Sequence, residues 1–340
     1  MLTRRRWLAA AFALALLSLA VTAPAAGARS RDLPLTRVRD VPLPGRSTRF
    51  DYQSIDAASR RLYVAHLGDA TLDAVDLDTL TVTRTVRDLP KAHGVLAVPE
   101  LGRVFVSATG INELVTLDAT TDEVIGRTPT GAFPDGIAYD QRDDLVLVSN
   151  KNDGSESIIE GHSGRAVRTV ELGREIGNVA YDSNTGLAYV AVRPPDELVA
   201  IEPATGSVMT RMRLRACRGA HGVYVPAQTQ QAFVACERNA AVATVDLAQG
   251  KQVAADSVGK NPDVLAYDPA NGRLYVAAES GVVTVFSTES GRLRKLGQAH
   301  LADSAHSVAV DPTTQLVYFP LERDPKKPGI RVMRPVEVQR

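Results

Sequence analysis

The sequence predicts an all-β protein, a seven-bladed β-propeller, and two periodic patterns lead to this fold. A motif of an aromatic or aliphatic residue, a valine and a small residue recurs along the 340-residue chain. Its copies are Tyr63-Val64-Ala65, Phe105-Val106-Ser107, Leu147-Val148-Ser149, Tyr189-Val190-Ala191, Phe233-Val234-Ala235, Tyr275-Val276-Ala277 and a looser Tyr318-Phe319-Pro320. Twelve residues before each stands a second series: Asp51, His93, Asp135, Gly177, His221, Asp263 and His306. The copies are 42 to 44 residues apart, and a β-rich unit of this length buries its faces by stacking radially, as in a propeller.

Each unit is predicted to form four short antiparallel strands. In the second unit we expect them at 94–98, 103–107, 113–118 and 123–128, with turn residues such as Pro99-Glu100-Leu101-Gly102 between them. Apolar residues at helical spacing are not sustained after about the first thirty residues, so the rest of the chain is predicted to contain only strands and loops.

The ring is predicted to close through the N-terminal strand. The last unit supplies strands at 307–310, 316–319 and 330–333 but no fourth, whereas residues 35–43 form an orphan fourth strand ahead of the first unit. Pairing the two would leave no exposed sheet edge in the ring. Because no linker-like segment divides the remainder, we expect a single propeller domain at 29–340.

Residues 1–28 have the features of a signal peptide. Arg4, Arg5 and Arg6 are followed by the apolar segment 7–21 and by Ala26-Gly27-Ala28, which predicts cleavage near Ala28 and export to the periplasm or the medium without a membrane span. The segment 3–8 also resembles a twin-arginine signal, with Trp in the Phe position. Both the general secretory route and the twin-arginine route remain open.

Charge and motifs narrow the classes of function. The chain has 39 basic and 39 acidic residues, and removal of the leader with its three arginines leaves 36 against 39. A nucleic-acid partner requires a basic surface, so none is expected. The sequence contains no Gly-x-Ser-x-Gly elbow, Walker loop, His-Glu-x-x-His or Cys-x-x-Cys. We expect a monomer that is a binding protein rather than an enzyme.

The two cysteines, Cys217 and Cys236, are expected to form a disulfide, because exported chains fold in oxidising compartments. Cys217 lies in the loop that enters the fifth unit and Cys236 ends the second strand of that unit, so both should lie near one face of the ring. The alternatives are two reduced buried thiols or a metal-thiolate pair.

The motifs together resemble the YVTN-repeat β-propeller family of exported bacterial proteins. The resemblance rests on the Tyr-Val repeats, the unit Asp-Pro-x-x-Gly-Arg-Leu-Tyr-Val at 268–276 and the leader, and it covers residues 33–340. It implies the fold and leaves the function open, because similar propellers include lactone hydrolases, antibiotic lyases, a non-catalytic chain of amine dehydrogenases and surface-binding proteins.

The second periodic series supplies candidate metal ligands. Propeller symmetry would bring its members to one mouth of the central channel, and imidazoles with carboxylates suit a divalent transition metal. The candidate metal ligands are Asp51, His93, Asp135, His221, Asp263 and His306. A purely structural role as strand-entrance hydrogen-bonding groups is the alternative.

Polar residues at the ends of the second strands are expected near the same mouth. These candidate ligand-binding residues are His66, Asn150, Arg193, Glu237 and Glu279. The sequence therefore predicts an exported binding or scaffold protein that takes a protein or small-molecule ligand, or a divalent transition metal, at this mouth. The alternative is a lactonase-like, metal-assisted hydrolase or lyase in which His66, Glu237 or Glu279 acts as acid or base.

Overall fold

The computed structural model describes residues 32–322 and 327–337, and the predicted seven-bladed propeller is confirmed. Seven four-stranded antiparallel sheets account for all strands of this part of the chain. The predicted signal peptide at 1–28 lies outside the described residues. No helix in the described ranges is long and apolar enough to cross a membrane.

We number the blades by the chain order of their innermost strands and give the strands from the channel outward. Blade 1 comprises Gln53–Asp56, Arg61–His66, Thr71–Asp76 and Thr81–Val86, and blade 2 comprises Ala92–Val98, Arg103–Ala108, Glu113–Asp118 and Val124–Pro129. Blade 3 comprises Pro134–Asp140, Leu145–Asn150, Ser155–Glu160 and Ala166–Glu171, and blade 4 comprises Glu175–Asp182, Leu187–Arg193, Glu197–Glu202 and Ser207–Arg213. Blade 5 comprises Ala220–Tyr224, Gln231–Cys236, Ala241–Asp246 and Lys251–Ser257, and blade 6 comprises Pro262–Asp268, Arg273–Ala278, Val282–Ser287 and Arg294–His300. Blade 7 comprises Ala309–Val310, Val317–Leu321, Gly329–Pro335 and Leu35–Pro42. Short 3-10 turns occupy Leu67–Asp69, Pro99–Leu101 and Glu237–Asn239.

The N-terminal strand completes blade 7, as predicted. Leu35 pairs with Pro335 and Pro42 pairs with Gly329 in an antiparallel ladder. The Nε of Arg331 also donates to Asp40 Oδ1 at 3.1 Å. The first and last parts of the described chain are therefore held together by backbone hydrogen bonds, and blade 7 lacks no strand.

The repeated motif lies on the second strand of each blade, and this position explains its composition. Neighbouring blades cover both faces of that strand, so successive side chains are all buried instead of alternating with exposed ones. Tyr63, Val64 and Ala65 are fully buried, as are Phe233, Val234 and Ala235. Packing between blades, more than within one sheet, therefore forms the hydrophobic core.

The residues of the second periodic series are called the ring residues below: Asp51, His93, Asp135, Gly177, His221, Asp263 and His306. Most innermost strands have an irregular start, and this start affects where the ring residues point. The pairing register shifts between Ala92 and Val95 in blade 2, and at the corresponding place in blades 3 to 6. His93, like its counterparts, lies inside this shift, where it forms no regular ladder pair. A bulge bends the strand and redirects a side chain, so each ring residue is free to face its neighbours around the mouth.

The predicted disulfide is confirmed. Cys217 and Cys236 are bonded, with their Cα atoms 5.2 Å apart. Both are buried in the core between blades 4 and 5.

Candidate metal centre

Three of the predicted metal ligands come together as a buried triad. One carboxylate oxygen each of Asp51 and Asp263 and one nitrogen of His306 lie within 4.8 Å of one another. The Nδ1–H of His306 donates to the carbonyl oxygen of Ser304 at 2.8 Å. This bond leaves the lone pair on Nε2, which is buried and has no hydrogen-bond partner. The triad therefore offers two carboxylates and one available imidazole nitrogen, a donor set suited to a divalent transition metal.

His93 extends the triad on the side of blade 2. The hydroxyl of Thr109 donates to the carbonyl oxygen of Pro134 at 2.6 Å, so it accepts from Nδ1–H of His93 at 2.9 Å. The lone pair of neutral His93 is then on Nε2, which lies 3.6 Å from Asp51 Oδ2. A second imidazole nitrogen thus faces the carboxylate of Asp51.

His221 pairs with Asp263 on the other side. Its Nε2 lies 3.2 Å from Asp263 Oδ1 and 3.5 Å from Glu237 Oε1. Burial alone would lower the pKa of His221, but the hydrogen bond to Asp263 and the charges of Asp263 and Glu237 outweigh it, so its pKa is raised. His221 neutralises part of the carboxylate charge when it is protonated.

Arg49 brings a permanent positive charge into contact with the triad. Its Nε donates to Asp51 Oδ2 at 3.1 Å, its Nη1 lies 2.8 Å from Glu279 Oε1, and its Nη2 lies 3.8 Å from Asp263 Oδ2. Three carboxylates therefore share one guanidinium, and their negative charge exceeds the charge that Arg49 supplies. The Arg49 side chain is 36% exposed, so it lies at the solvent side of the site.

The two carboxylates of the triad are held in different states. Burial raises the pKa of Asp51, against the opposing charges of His93 and Arg49, and the charge of Asp263 adds to the rise. Burial would also raise the pKa of Asp263, but the hydrogen bond from His221 and the charges of His306 and Arg49 outweigh it and lower the pKa. Asp263 is therefore firmly ionised, whereas ionised Asp51 is short of compensating positive charge. An added cation would supply that charge.

The other predicted residues divide into those that reach this network and those that do not. Glu279 contacts both Arg49 and His306, and its Oε2 lies 3.7 Å from Nδ1 of the imidazole. Arg193, only 3% exposed, pairs with Glu175 and with Glu237, which links it to His221. Asp135 is not part of the triad, and its Oδ2 lies 3.9 Å from Lys151 Nζ.

Two predicted ligand-binding residues lie elsewhere. His66 is fully buried, stacks on Phe50 with ring centroids 4.0 Å apart, and has Nε2 3.0 Å from the Thr48 hydroxyl. Burial lowers its pKa. Asn150 is buried and donates to the hydroxyls of Ser155 and Ser157. Both side chains are packed within their blades, and neither contacts the triad.

Arg49, Tyr52 and Asn178 also belong to this network but were not predicted from the sequence. Tyr52 accepts a hydrogen bond from Asn178, and its hydroxyl lies 3.5 Å from Asp263 Oδ1. Arg49 stands two positions before the ring residue of its blade, and Tyr52 and Asn178 stand one position after theirs. At the latter position the other blades carry Gly94, Gly136, Gly222, Val264 and Ser307. Comparison of the residues at these two positions across the seven blades would have drawn attention to Arg49, Tyr52 and Asn178.

Comparisons with known proteins support the fold. No family model matches the chain, and no curated protein matches it. Among solved structures, hydrazine synthase from Kuenenia stuttgartiensis is similar, with a TM-score of 0.73 and 14% sequence identity over 83% of this chain and 94% of that chain. At such low identity the similarity concerns the propeller architecture alone.

Proposed function

We propose that this protein is an exported propeller that binds a divalent transition metal ion at the Asp51–Asp263–His306 triad. The observation that carries the proposal is the buried, unpartnered Nε2 of His306 in a site where two carboxylates lie within 4.8 Å. A buried polar atom without a partner is unfavourable by about 1 to 3 kcal/mol. Coordination of a metal would satisfy it.

The chemistry of the donors favours zinc, manganese or iron over calcium or magnesium. Imidazole is a good ligand for the transition metals, and carboxylates neutralise their charge. The Nδ1–H bond from His306 to Ser304 fixes the tautomer and the ring orientation, which is the usual second contact of a metal-binding histidine. Arg49 acts in this proposal as the counter-ion that the metal displaces.

We further propose membership of the YVTN-repeat family and export to the periplasm or the medium. The repeat spacing supports the family, and the leader sequence at 1–28 supports export. The Cys217–Cys236 bond is consistent with an oxidising compartment. The ligand of the exported protein would then be the metal itself or a molecule that reaches the metal from the mouth.

Metal analysis tests the proposal directly. Protein recovered from its native compartment should contain a transition metal, and the metal-free protein should bind zinc or manganese in a calorimetric titration with a gain in melting temperature. His306→Ala should abolish binding. His300→Ala is the matched control, since His300 is exposed and its Nε2 contacts only Asp303 at 3.1 Å among the described residues.

Two outcomes would overturn the metal site. One is a wild type that is metal-free as isolated and gains neither heat of binding nor stability from added zinc, manganese, iron or copper. The other is equal metal binding by His306→Ala and the wild type. In either case the histidines of the mouth would be structural hydrogen-bonding groups.

Metal-assisted hydrolysis or lyase chemistry is a second candidate, and Glu279 favours it. This carboxylate is 31% exposed and adjoins both Arg49 and His306, so it could take a proton from a water or substrate at the mouth. His66 is unsuited to that role because it is buried beneath Phe50. Lactone hydrolysis by the metal-loaded protein that is lost in Glu279→Gln would support this function.

A further inference from the structure

The central channel contains a cavity of about 650 Å³ behind the triad. All seven innermost strands contribute to its wall, from Gln53 in blade 1 to Val310 in blade 7. At the end next to the triad, Tyr52 reaches across the channel to Asn178 and Asp263. The cavity is therefore a pocket with a polar floor that extends along the channel away from the metal centre.

Four tyrosines from consecutive blades line this cavity: Tyr139, Tyr181, Tyr224 and Tyr267. The hydroxyl of Tyr139 donates to Asp144 at 3.1 Å, and the hydroxyl of Tyr267 bonds with that of Thr288 at 3.1 Å. Neither Asp144 nor Thr288 lines the cavity. The polar ends of these two side chains are thus engaged by residues that do not line the pocket, which leaves the rest of each tyrosine to contribute to its wall.

Most of the other lining residues are aliphatic, polar atoms also contribute much of the lining surface, and the charged side chains are of one sign. Val95, Ile137 and Leu265 are among the aliphatic lining residues. Two carboxylates, Glu100 and Asp263, line the cavity, whereas no lysine, arginine or histidine of the described residues does. A ligand that matches this lining combines an apolar body with a positive charge.

We propose that the channel is a binding site for a small organic ammonium ion, entered from the side opposite the metal centre and sharing only Asp263 with it. The cation would be attracted by the tyrosine rings, as quaternary ammonium ligands are by aromatic cages, and by the carboxylates of Asp263 and Glu100. The size of the cavity suits a small organic molecule. This inference goes beyond metal binding, because the tyrosines have no contact with the triad ligands other than through the floor.

Choline and its uncharged isostere neohexyl alcohol provide the test, since they have the same shape and differ in charge. Binding to metal-free protein is measured by saturation-transfer NMR and calorimetry. We expect choline to bind in the millimolar range or better and neohexyl alcohol to bind at least about fivefold more weakly. Metal-free protein keeps the result independent of the proposed metal function.

Ring variants locate the site. Tyr267→Leu and Tyr139→Leu should each weaken choline binding about five- to thirtyfold, because each removes an aromatic ring from the wall. Tyr267→Phe and Tyr139→Phe retain the ring, lose the hydroxyl contact outside the pocket, and should bind choline as the wild type does. Melting curves of all four variants establish that they are folded.

Three results would overturn the proposal. Equal binding of choline and neohexyl alcohol would show that the charge is not recognised. Unchanged binding in folded Leu variants would place the ligand elsewhere. The absence of choline binding to the wild type in the millimolar range would mean that the tyrosine-lined cavity is not a site for organic cations.

Discussion

The hydroxyl of Tyr52 lies 3.5 Å from Asp263 Oδ1, so a side chain of blade 1 reaches the carboxylate of blade 6 across the channel. The same hydroxyl accepts a hydrogen bond from Asn178 of blade 4. Three blades that are not neighbours in the ring are therefore connected at its centre. This contact separates the metal centre from the tyrosine-lined cavity.

Removal of the Tyr52 hydroxyl should destabilise the ring. In Tyr52→Phe the buried amide of Asn178 loses its partner, and we expect the free energy of unfolding to fall by about 1 to 3 kcal/mol. Denaturant unfolding measures this difference. Tyr139→Phe is the control, because its partner Asp144 is partly exposed and can bond to water instead. Equal losses in the two variants would mean that the contact across the channel has no special importance.

Arg49 should compete with a metal for the triad. Arg49→Met removes the guanidinium from Asp51 and Asp263, and we expect the dissociation constant for zinc or manganese to fall about tenfold or more. Arg46→Met carries the same change in charge, but Arg46 is exposed and pairs with Asp69 at 2.8 Å. Calorimetric titration of both variants distinguishes the effect of removing the guanidinium beside the triad from the effect of removing one positive charge elsewhere. If affinity rises equally in both, or falls in Arg49→Met, Arg49 is not the displaced counter-ion.

The disulfide should contribute to stability through the loop it closes. Cys217 and Cys236 are separated by 19 residues, and constraining a loop of this size in the unfolded chain stabilises a protein by about 3 kcal/mol. The double variant Cys217→Ala, Cys236→Ala should lose roughly that amount in denaturant unfolding. Non-reducing peptide mapping of the wild type should recover the linked peptides, and two freely titratable thiols would contradict the bond.

Much of the fold could be predicted from the sequence because the repeat is itself structural. The Tyr-Val-x motif must recur at the length of one blade, since each copy fills the same space between two neighbouring blades. The last unit lacks a fourth strand and the chain has an unpaired strand near residue 35, so the sequence likewise predicted that these two pair. Exact strand ends were less predictable, as with the innermost strand of blade 7, expected at 307–310 and found as Ala309–Val310.

The candidate site was predictable only in outline. The period of the repeat identified Asp51, Asp263 and His306, but it could not say which ring residues lie within reach of one another. That depends on side-chain length and, in blades 2 to 6, on the register shift at the start of the innermost strand. Arg49 and Tyr52 were not predicted because they stand outside the repeat positions that carry the histidines and carboxylates, whereas side chains from neighbouring positions also reach the site.

Loss of the N-terminal strand should open the ring. Deletion of residues 29–45 removes the ladder between Leu35–Pro42 and Gly329–Pro335, which leaves the edge of blade 7 unpaired. We expect a markedly lower melting temperature or aggregation. Deletion of residues 29–31 alone leaves the strand intact and serves as the control. An unchanged melting temperature after the longer deletion would refute closure by this strand.

Glu156 is a buried carboxyl group with incomplete hydrogen bonding. It lies on the third strand of blade 3, accepts from the hydroxyl of Ser149 through Oε1, and has no hydrogen-bond partner for Oε2. Burial raises its pKa to about 8, against the opposing effect of the Ser149 hydrogen bond. The folded protein therefore binds a proton at neutral pH that the unfolded chain releases.

Glu156→Gln should accordingly change how stability depends on pH. A carboxyl group whose pKa is raised on folding stabilises the fold below its unfolded pKa, and this contribution is lost as the pH rises through the folded value. Between about pH 4.5 and pH 8 the wild type should lose roughly 4 kcal/mol of stability relative to Glu156→Gln, in which position 156 does not titrate. Denaturant unfolding of both proteins across this range measures the difference. Parallel stability profiles for the two proteins would mean that Glu156 keeps an ordinary pKa in the fold, and that water or a cation reaches its Oε2.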